Sequence, residues 1–185
     1  MALPAVAHFS VEEYLAWENA QPNKNEYLNG DVFAMVGANR RHNAISLNVA
    51  SVLTTHLDGA RCRAYMSDMK LRVRAVNAFF YPDVVVTCDE ADHKAELYLE
   101  SPVLIVEVLS ESTQGYDRGK KFAAYRTLDS LREYALIDPD RLSTEIFRRN
   151  ADGLWVLHDF AADAPIVFAS VELTLSPEQL FRNVD

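Results

Sequence analysis

Two carboxylates and one lysine are the residues of this 185-residue chain best placed to do chemistry. Pro102-Val103-Leu104-Ile105-Val106-Glu107-Val108-Leu109-Ser110 is its most apolar stretch and reads as a strand. Period-two alternation puts Val103, Ile105, Glu107 and Leu109 on one face and Leu104, Val106, Val108 and Ser110 on the other. Both faces are otherwise apolar, so the strand is central and covered on both sides. Glu107 is its one charge. Left unpaired there, a carboxylate costs several kcal/mol, so it must be neutralised, paired with a base or bound to a metal. Asp83 interrupts the apolar run Tyr81 to Cys88 in the same way, either as a strand-entry residue after Pro82 or as a partner of Glu107. Two such acids on adjacent buried strands repel unless a cation lies between them. Hard oxygen donors suit Mg²⁺ or Mn²⁺, which take one or two carboxylates plus waters. After Gly115, helical spacing aligns Asp117, Lys121, Ala124, Tyr125 and Leu128. Lys121 then projects toward the sheet, within reach of Glu107, unless it closes a surface i,i+4 pair with Asp117.

The elements that must position these residues are legible along the chain. Ser10-Val11-Glu12-Glu13 is a capping box that opens a first helix, which fades before Pro22. Asn29-Gly30, between Glu26-Tyr27-Leu28 and Val32-Phe33-Ala34-Met35, predicts a hairpin, because a primed turn needs positive φ. A second helix runs from about Asn43 to Leu57 and stops at Gly59. Cys62 to Ser67 and Met69 to Val76 read as a strand pair. Tyr81 to Cys88 and Pro102 to Ser110 are further strands, with a polar connection from Asp89 to Ser101 between them. A helix from about Asp117 to Leu128 precedes strands at Glu133 to Asp138, Arg141 to Arg149 and Leu154 to Phe160. Val171 to Leu175 adds another, and Ser176-Pro177 starts a last short helix. This order predicts an α/β protein in the broad sense, one mixed α+β sheet flanked by helices, in a single domain over 1–185.

Composition narrows the function classes. With 49% hydrophobic and 24% charged residues the chain can build a core without staples. Cys62 and Cys88 lie in apolar, strand-like surroundings without metal-ligand spacing, and read as reduced core thiols of a cytoplasmic protein. No apolar run has the length of a membrane span, and Met1 to His8 lacks the pattern of a signal peptide, so a cytoplasmic location is expected. A net charge of −9 argues against a protein that binds nucleic acid over its whole surface; positive charge would have to be local or brought by cations. Arg40, Arg41, Arg61, Arg63, Lys70, Arg72 and Arg74 form the local basic concentration. His42 and His56 flank the second helix but make no ligand pair, and His8, His93 and His158 are isolated. No phosphate-loop pattern supports nucleotide binding. Trp17 and Trp155 read as packing residues.

Tyr81-Pro82-Asp83, Glu107-Val108-Leu109-Ser110, Asp117 and Lys121 together resemble the PD-(D/E)xK nuclease superfamily, and more closely its bacterial branch of Uma-two restriction endonucleases. Phe9-Ser10-Val11-Glu12-Glu13-Tyr14-Leu15, Glu26-Tyr27-Leu28-Asn29-Gly30 and Arg132-Glu133-Tyr134 belong to the same resemblance, which runs from Phe9 to about Pro139. It implies a restriction-endonuclease-like fold and a Mg²⁺- or Mn²⁺-dependent endonuclease acting on DNA. Asp83, Glu107 and the Val108 carbonyl would hold the metal. Glu26 would close on the same site from the N-terminal part, and Lys121 would activate water or stabilise charge on the phosphoryl group. The superfamily usually places its lysine two residues after the second acid, where this chain has Leu109. Lys121 would have taken the role by migration; otherwise the chain is an interaction or metal-binding module that keeps the fold. Cutting both strands of DNA is simplest with two sites, so a homodimer is the expectation from function.

Overall fold

A computed structural model describes residues 8–35 and 37–184. The stretch inspected for a signal peptide lies outside them, apart from His8. Helix α1 (Val11–Glu18) is capped by Ser10 and Glu13 as the sequence predicts. The hairpin β1 (Asn25–Leu28) and β2 (Asp31–Ala34) turns on Asn29 and Gly30, with φ of 49° and 101°. Helix α2 (Arg40–His56) starts earlier than its apolar periodicity, because Asn39 supplies the cap by accepting from the His42 amide. The chain then alternates between two sheets through β3 (Arg63–Met66), β4 (Lys70–Val73), β5 (Ala78–Phe80), β6 (Val84–Thr87), β7 (Tyr98–Leu99) and β8 (Pro102–Val108). Helix α3, residues 114–125, opens as Gln114–Tyr116, widens into a π turn over Asp117–Lys121 and closes as Phe122–Tyr125. Strands β9 (Glu133–Asp138), β10 (Ser143–Arg149), β11 (Trp155–Phe160), β12 (Ile166–Phe168) and β13 (Leu173–Leu175) follow, with a closing helix Pro177–Leu180.

The central sheet has the order β11-β10-β9-β8-β6-β3, antiparallel except for the parallel β8–β9 pair. A second sheet has the order β2-β1-β5-β4-β7. Both faces of β8 are covered, as its sequence requires. Leu104, Val106 and Val108 pack with Ile45, Val49 and Leu53 of α2 and with the β12–β13 ribbon. Ile105 and Leu109 pack on the other side with α3 and with Leu71, Val73 and Phe80 of the second sheet. A smaller cluster, Tyr14, Tyr27 and Phe79, fastens α1 to that sheet. Glu133 is fully buried and accepts from Arg148 Nε (2.7 Å) and from the Ala169 and Ser170 amides (3.1 and 2.7 Å), clasping the C-terminal ribbon to β9.

Two expectations are corrected. The segments Cys62 to Ser67 and Met69 to Val76 do not pair with each other. The turn closed by Met69 N donating to Met66 O carries the chain from one sheet to the other, so β3 pairs with β6 while β4 pairs with β5 and β7. Leu71 and Val73 thereby fill the second core instead of duplicating β3. Cys62 and Cys88 are not reduced thiols. They flank the opposed Arg63–Thr87 pair at the end of β3 and β6 and form a disulfide. Strand register, invisible in cysteine spacing, brings them together, and the argument they gave for a reducing compartment falls. The bridge closes a loop of 26 residues, worth about 3.5 kcal/mol by loop-closure entropy. Urea unfolding of Cys62→Ser is expected to lose about that much, and alkylation of denatured, unreduced native protein should label no thiol.

Candidate functional site

Four elements and one link meet at the C-terminal end of β8. Strand β8 brings Glu107, the link between β5 and β6 brings Asp83, β1 brings Glu26, α3 brings Asp117, Lys121 and Tyr125, and the first turn of α2 brings His42. Asp83 lies just before β6 and not within it, because Ala78–Phe80 belongs to the other sheet and Tyr81-Pro82-Asp83 crosses between them. The link is held to β8 at Asp83: Asp83 Oδ2 accepts from the Val108 amide at 2.8 Å, and the Asp83 amide lies 3.4 Å from Glu107 Oε2. The two acids are therefore neighbours across paired strands, as their sequence positions require.

Lys121 reaches inward as its helical position predicts. Its Nζ lies 3.0 Å from Glu107 Oε1, 3.3 Å from Glu26 Oε1 and 3.3 Å from Asp117 Oδ1. The Asp117–Lys121 spacing is thus an ion pair, but a buried one, with side chains 3% and 8% exposed. Tyr125 OH also donates to Glu107 Oε1, at 2.9 Å. Leu109, where the resemblance would place the lysine, is buried in the second core, and the amine of the cluster comes from Lys121 on α3.

The cluster holds more negative charge than one ammonium cancels. Burial pushes the Glu107 carboxyl well above the ordinary range; Lys121 opposes this, while Asp83, Asp117 and Glu26 reinforce it. Burial also raises Glu26 against the pull of Lys121. For Lys121 burial favours loss of the proton, but Glu107, Glu26 and Asp117 outweigh it and keep the amine charged well beyond the usual lysine range. Asp117 Oδ1 is buried without a hydrogen-bond partner. Tyr116, at the cleft wall, is pushed up to about 12 by burial and by these acids.

His42 is the functional candidate that sequence reasoning missed. Its Nε2 lies 3.2 Å from Asp83 Oδ2, with only 14% of the side chain exposed. Burial disfavours its protonation, yet Asp83, Asp117 and the Val108 carbonyl together raise its pKa. The available signal was its place in the first turn after a capping asparagine, not its spacing to another histidine. The basic residues from Arg40 to Arg74 are spread over α2, β3 and β4, in different layers. Arg41 binds Asp140 (2.8 Å), Arg74 binds Glu100 (2.7 Å), and Lys70 is buried against the Tyr81 ring.

The acids floor a cleft of about 1070 Å³, walled by Phe33 to Met35 and Gly37 to Asn39 on one side and Ser110 to Thr113 with Tyr116 on the other. Residues 11–178 match the model of the Uma2 family, described as "Putative restriction endonuclease". The chain belongs to this family. The Uma2 chain is 35% identical over 175 residues to the uncharacterized protein slr1290 of Synechocystis, covering 95% of this chain and 92% of that one. It is 30% identical over 176 residues to a second Synechocystis protein, the uncharacterized sll1609, covering 94% and 99%. Among solved structures it matches the crystal structure of a "putative nuclease belonging to DUF820" from Anabaena variabilis. The TM-score there is 0.77 at 21% identity, over 96% of this chain and 99% of that one. This likeness shows the restriction-endonuclease-like fold, a mixed α+β core flanked by helices. Among the described residues no helix is long and apolar enough to cross a membrane.

Removing the ammonium from such a cluster leaves three buried carboxylates without a counter-charge. Lys121→Met is expected to lower the unfolding free energy by about 3 kcal/mol or more, and Glu26→Gln in the same chain to recover part of the loss. A double-mutant cycle in urea measures both.

Proposed function

We propose that this Uma2 protein is a Mg²⁺- or Mn²⁺-dependent endonuclease that hydrolyses DNA phosphodiester bonds on the floor of this cleft. One observation carries the reading: the buried acids Glu26, Glu107 and Asp117 converge on the single ammonium of Lys121, and a fourth acid, Asp83, with its side chain 13% exposed, lies beside Glu107. The donor set fits a divalent cation. The acids exceed the fixed positive charge, Glu107 is driven toward its protonated form, and Asp117 Oδ1 has its ion pair with Lys121 but no hydrogen bond. Among the described residues no group of three or more His, Cys, Asp or Glu side chains is arranged to hold a metal ion, so the protein side-chain donors would number two. Asp83, Glu107 and the Val108 carbonyl would therefore hold the ion with waters completing the shell, as Mg²⁺ commonly requires.

When bound, the ion would polarise a phosphoryl oxygen and make attacking water more acidic. The other tasks fall to the chain. Water adds to phosphorus as one ester P–O bond breaks; the proton that water gives up passes to solvent, and the leaving oxygen takes up a proton from solvent. Lys121 is held as a cation, so its part is to neutralise charge building on the phosphoryl group and to orient water, not to act as a base. Glu26 and Asp117 keep the amine aimed at Glu107. Tyr125 fixes the rotation of the Glu107 carboxylate.

DNA would enter despite the net charge of −9 because the ion meets the phosphate inside the cleft. The arginines of α2 and β3 would serve as backbone contacts outside it. A homodimer would supply two such floors for the two strands.

Relaxation of supercoiled plasmid tests the reading. Nicking should require Mg²⁺ or Mn²⁺, stop with EDTA, and fall about a hundredfold or more in Glu107→Gln and Asp83→Asn. Undiminished cutting by both variants would remove the assigned site. A native protein that cuts no DNA of any form under either metal would instead be the non-catalytic module.

A further inference from the structure

Strand β2 lies at the edge of the second sheet, next to β1. Its side chains alternate between two faces. Val32 turns toward the Tyr14, Tyr27 and Phe79 cluster, so Phe33 points the other way. In the antiparallel pair Phe33 stands directly opposite Glu26. Residues opposed in this way share a face, with Cβ atoms about 4.5–5.5 Å apart. Glu26 reaches Lys121 from that face, and the Phe33 ring is therefore carried on the cleft side of the hairpin, beside the acid cluster. Phe33 is nevertheless 49% exposed and, among the described residues, belongs to none of the three apolar clusters. The tyrosines of the cleft lining are engaged elsewhere. Tyr81 is buried and donates to Glu18 at 2.9 Å, and Tyr116 packs on the second core with the Lys121 ammonium over its ring.

The charge balance gives an open aromatic face a use. Attraction to phosphates normally supplies much of the affinity for nucleic acid. Here the net charge is −9, and Arg41, Arg74, Arg118 and Arg148 are already paired with Asp140, Glu100, Glu145 and Glu133. Stacking of a base on an aromatic ring is worth about five- to 150-fold in affinity and draws on no phosphate charge. A base inside a duplex is already stacked on its neighbours, whereas an unpaired base has its face free. Depth acts in the same direction. Glu26, Glu107 and Asp117 are buried, so a phosphate must come down between the walls to meet an ion held there. A single strand flexes into such a cleft, while a duplex must be bent at a cost.

We propose that Phe33 is the stacking platform for an unpaired base next to the phosphate at the acid cluster, so that the cleft takes single-stranded or locally opened DNA in preference to closed duplex. The inference rests on the nuclease reading above and adds what that reading leaves open, the form of the DNA. Phe33 acts as a binding and specificity residue: it holds the nucleotide while the residues opposite it, from Glu26 to Lys121, face the phosphate.

The experiment uses the full chain with Ca²⁺ in place of Mg²⁺. The probes are a fluorescent single-stranded oligodeoxynucleotide and the same strand annealed to its complement. Fluorescence anisotropy should show the single strand bound about tenfold or more tightly than the duplex. Phe33→Ala should lose about tenfold of the single-strand affinity while duplex binding and the salt dependence stay as they were, because no phosphate contact is removed. Phe33→Leu, which keeps apolar bulk without an aromatic face, should behave like Phe33→Ala, and Phe33→Trp like the native chain. Equal affinity for the two probes, or single-strand binding unchanged in Phe33→Ala and Phe33→Leu, would overturn the inference and leave the nuclease reading to the plasmid assay. Native protein that holds neither probe overturns it as well, and the nuclease reading falls with it only if plasmid also stays intact.

Discussion

A buried ammonium surrounded by three carboxylates is the constraint around which this structure is arranged. Lys121 draws its counter-charges from β1, β8 and its own helix, so one ion cluster ties the hairpin, the central sheet and α3 together. Such a cluster is costly to desolvate and is weak support for stability by itself. It persists because apolar packing on every side holds its members. Ile105 and Leu109 flank Glu107 on the same face of β8, and Ala124 and Tyr125 press α3 onto that face. The π turn over Asp117–Lys121 falls where two charged side chains of one helix must both reach the cluster.

The cluster also explains the division into two sheets. Glu26 comes from the second sheet and Glu107 from the central one, and the link that holds Asp83 is the chain passing between them. Its residues serve both sides. The Tyr81 amide donates to Glu26, its hydroxyl to Glu18, and Asp83 takes the Val108 amide. The cleft opens beside this link, with Tyr81 and Asp83 in its lining. At the far end of the central sheet the Glu133 clasp uses the same device of a buried carboxylate with every oxygen engaged, but there arginine and backbone amides complete it and no cleft reaches it. Beneath the cleft, by contrast, three buried carboxylates share one ammonium.

Local rules carried much of this into the sequence. Capping boxes at Ser10 and Ser176, the Asn29-Gly30 turn, the two-sided burial of β8 and the inward face of α3 each depend on residues a few positions apart. Asp83, Glu107 and Lys121 were legible for the same reason: each is a charge where the local pattern demands an apolar residue. The resemblance to the Uma-two branch added Glu26, whose position in a short hairpin strand gives no such signal.

What the sequence alone determined, then, was which elements form and which charges must be compensated, because periodicity and capping act within one turn or one strand. Strand partners were decided only in three dimensions. Whether β3 pairs with β4 or β6 depends on competing cores, and that choice brings Cys62 to Cys88. The place of His42 beside Asp83 was likewise hidden. A helix's first turn finds its neighbour through the packing of Ile45 and Val49 on a sheet whose strands lie tens of residues further along the chain, and no local spacing encodes that contact.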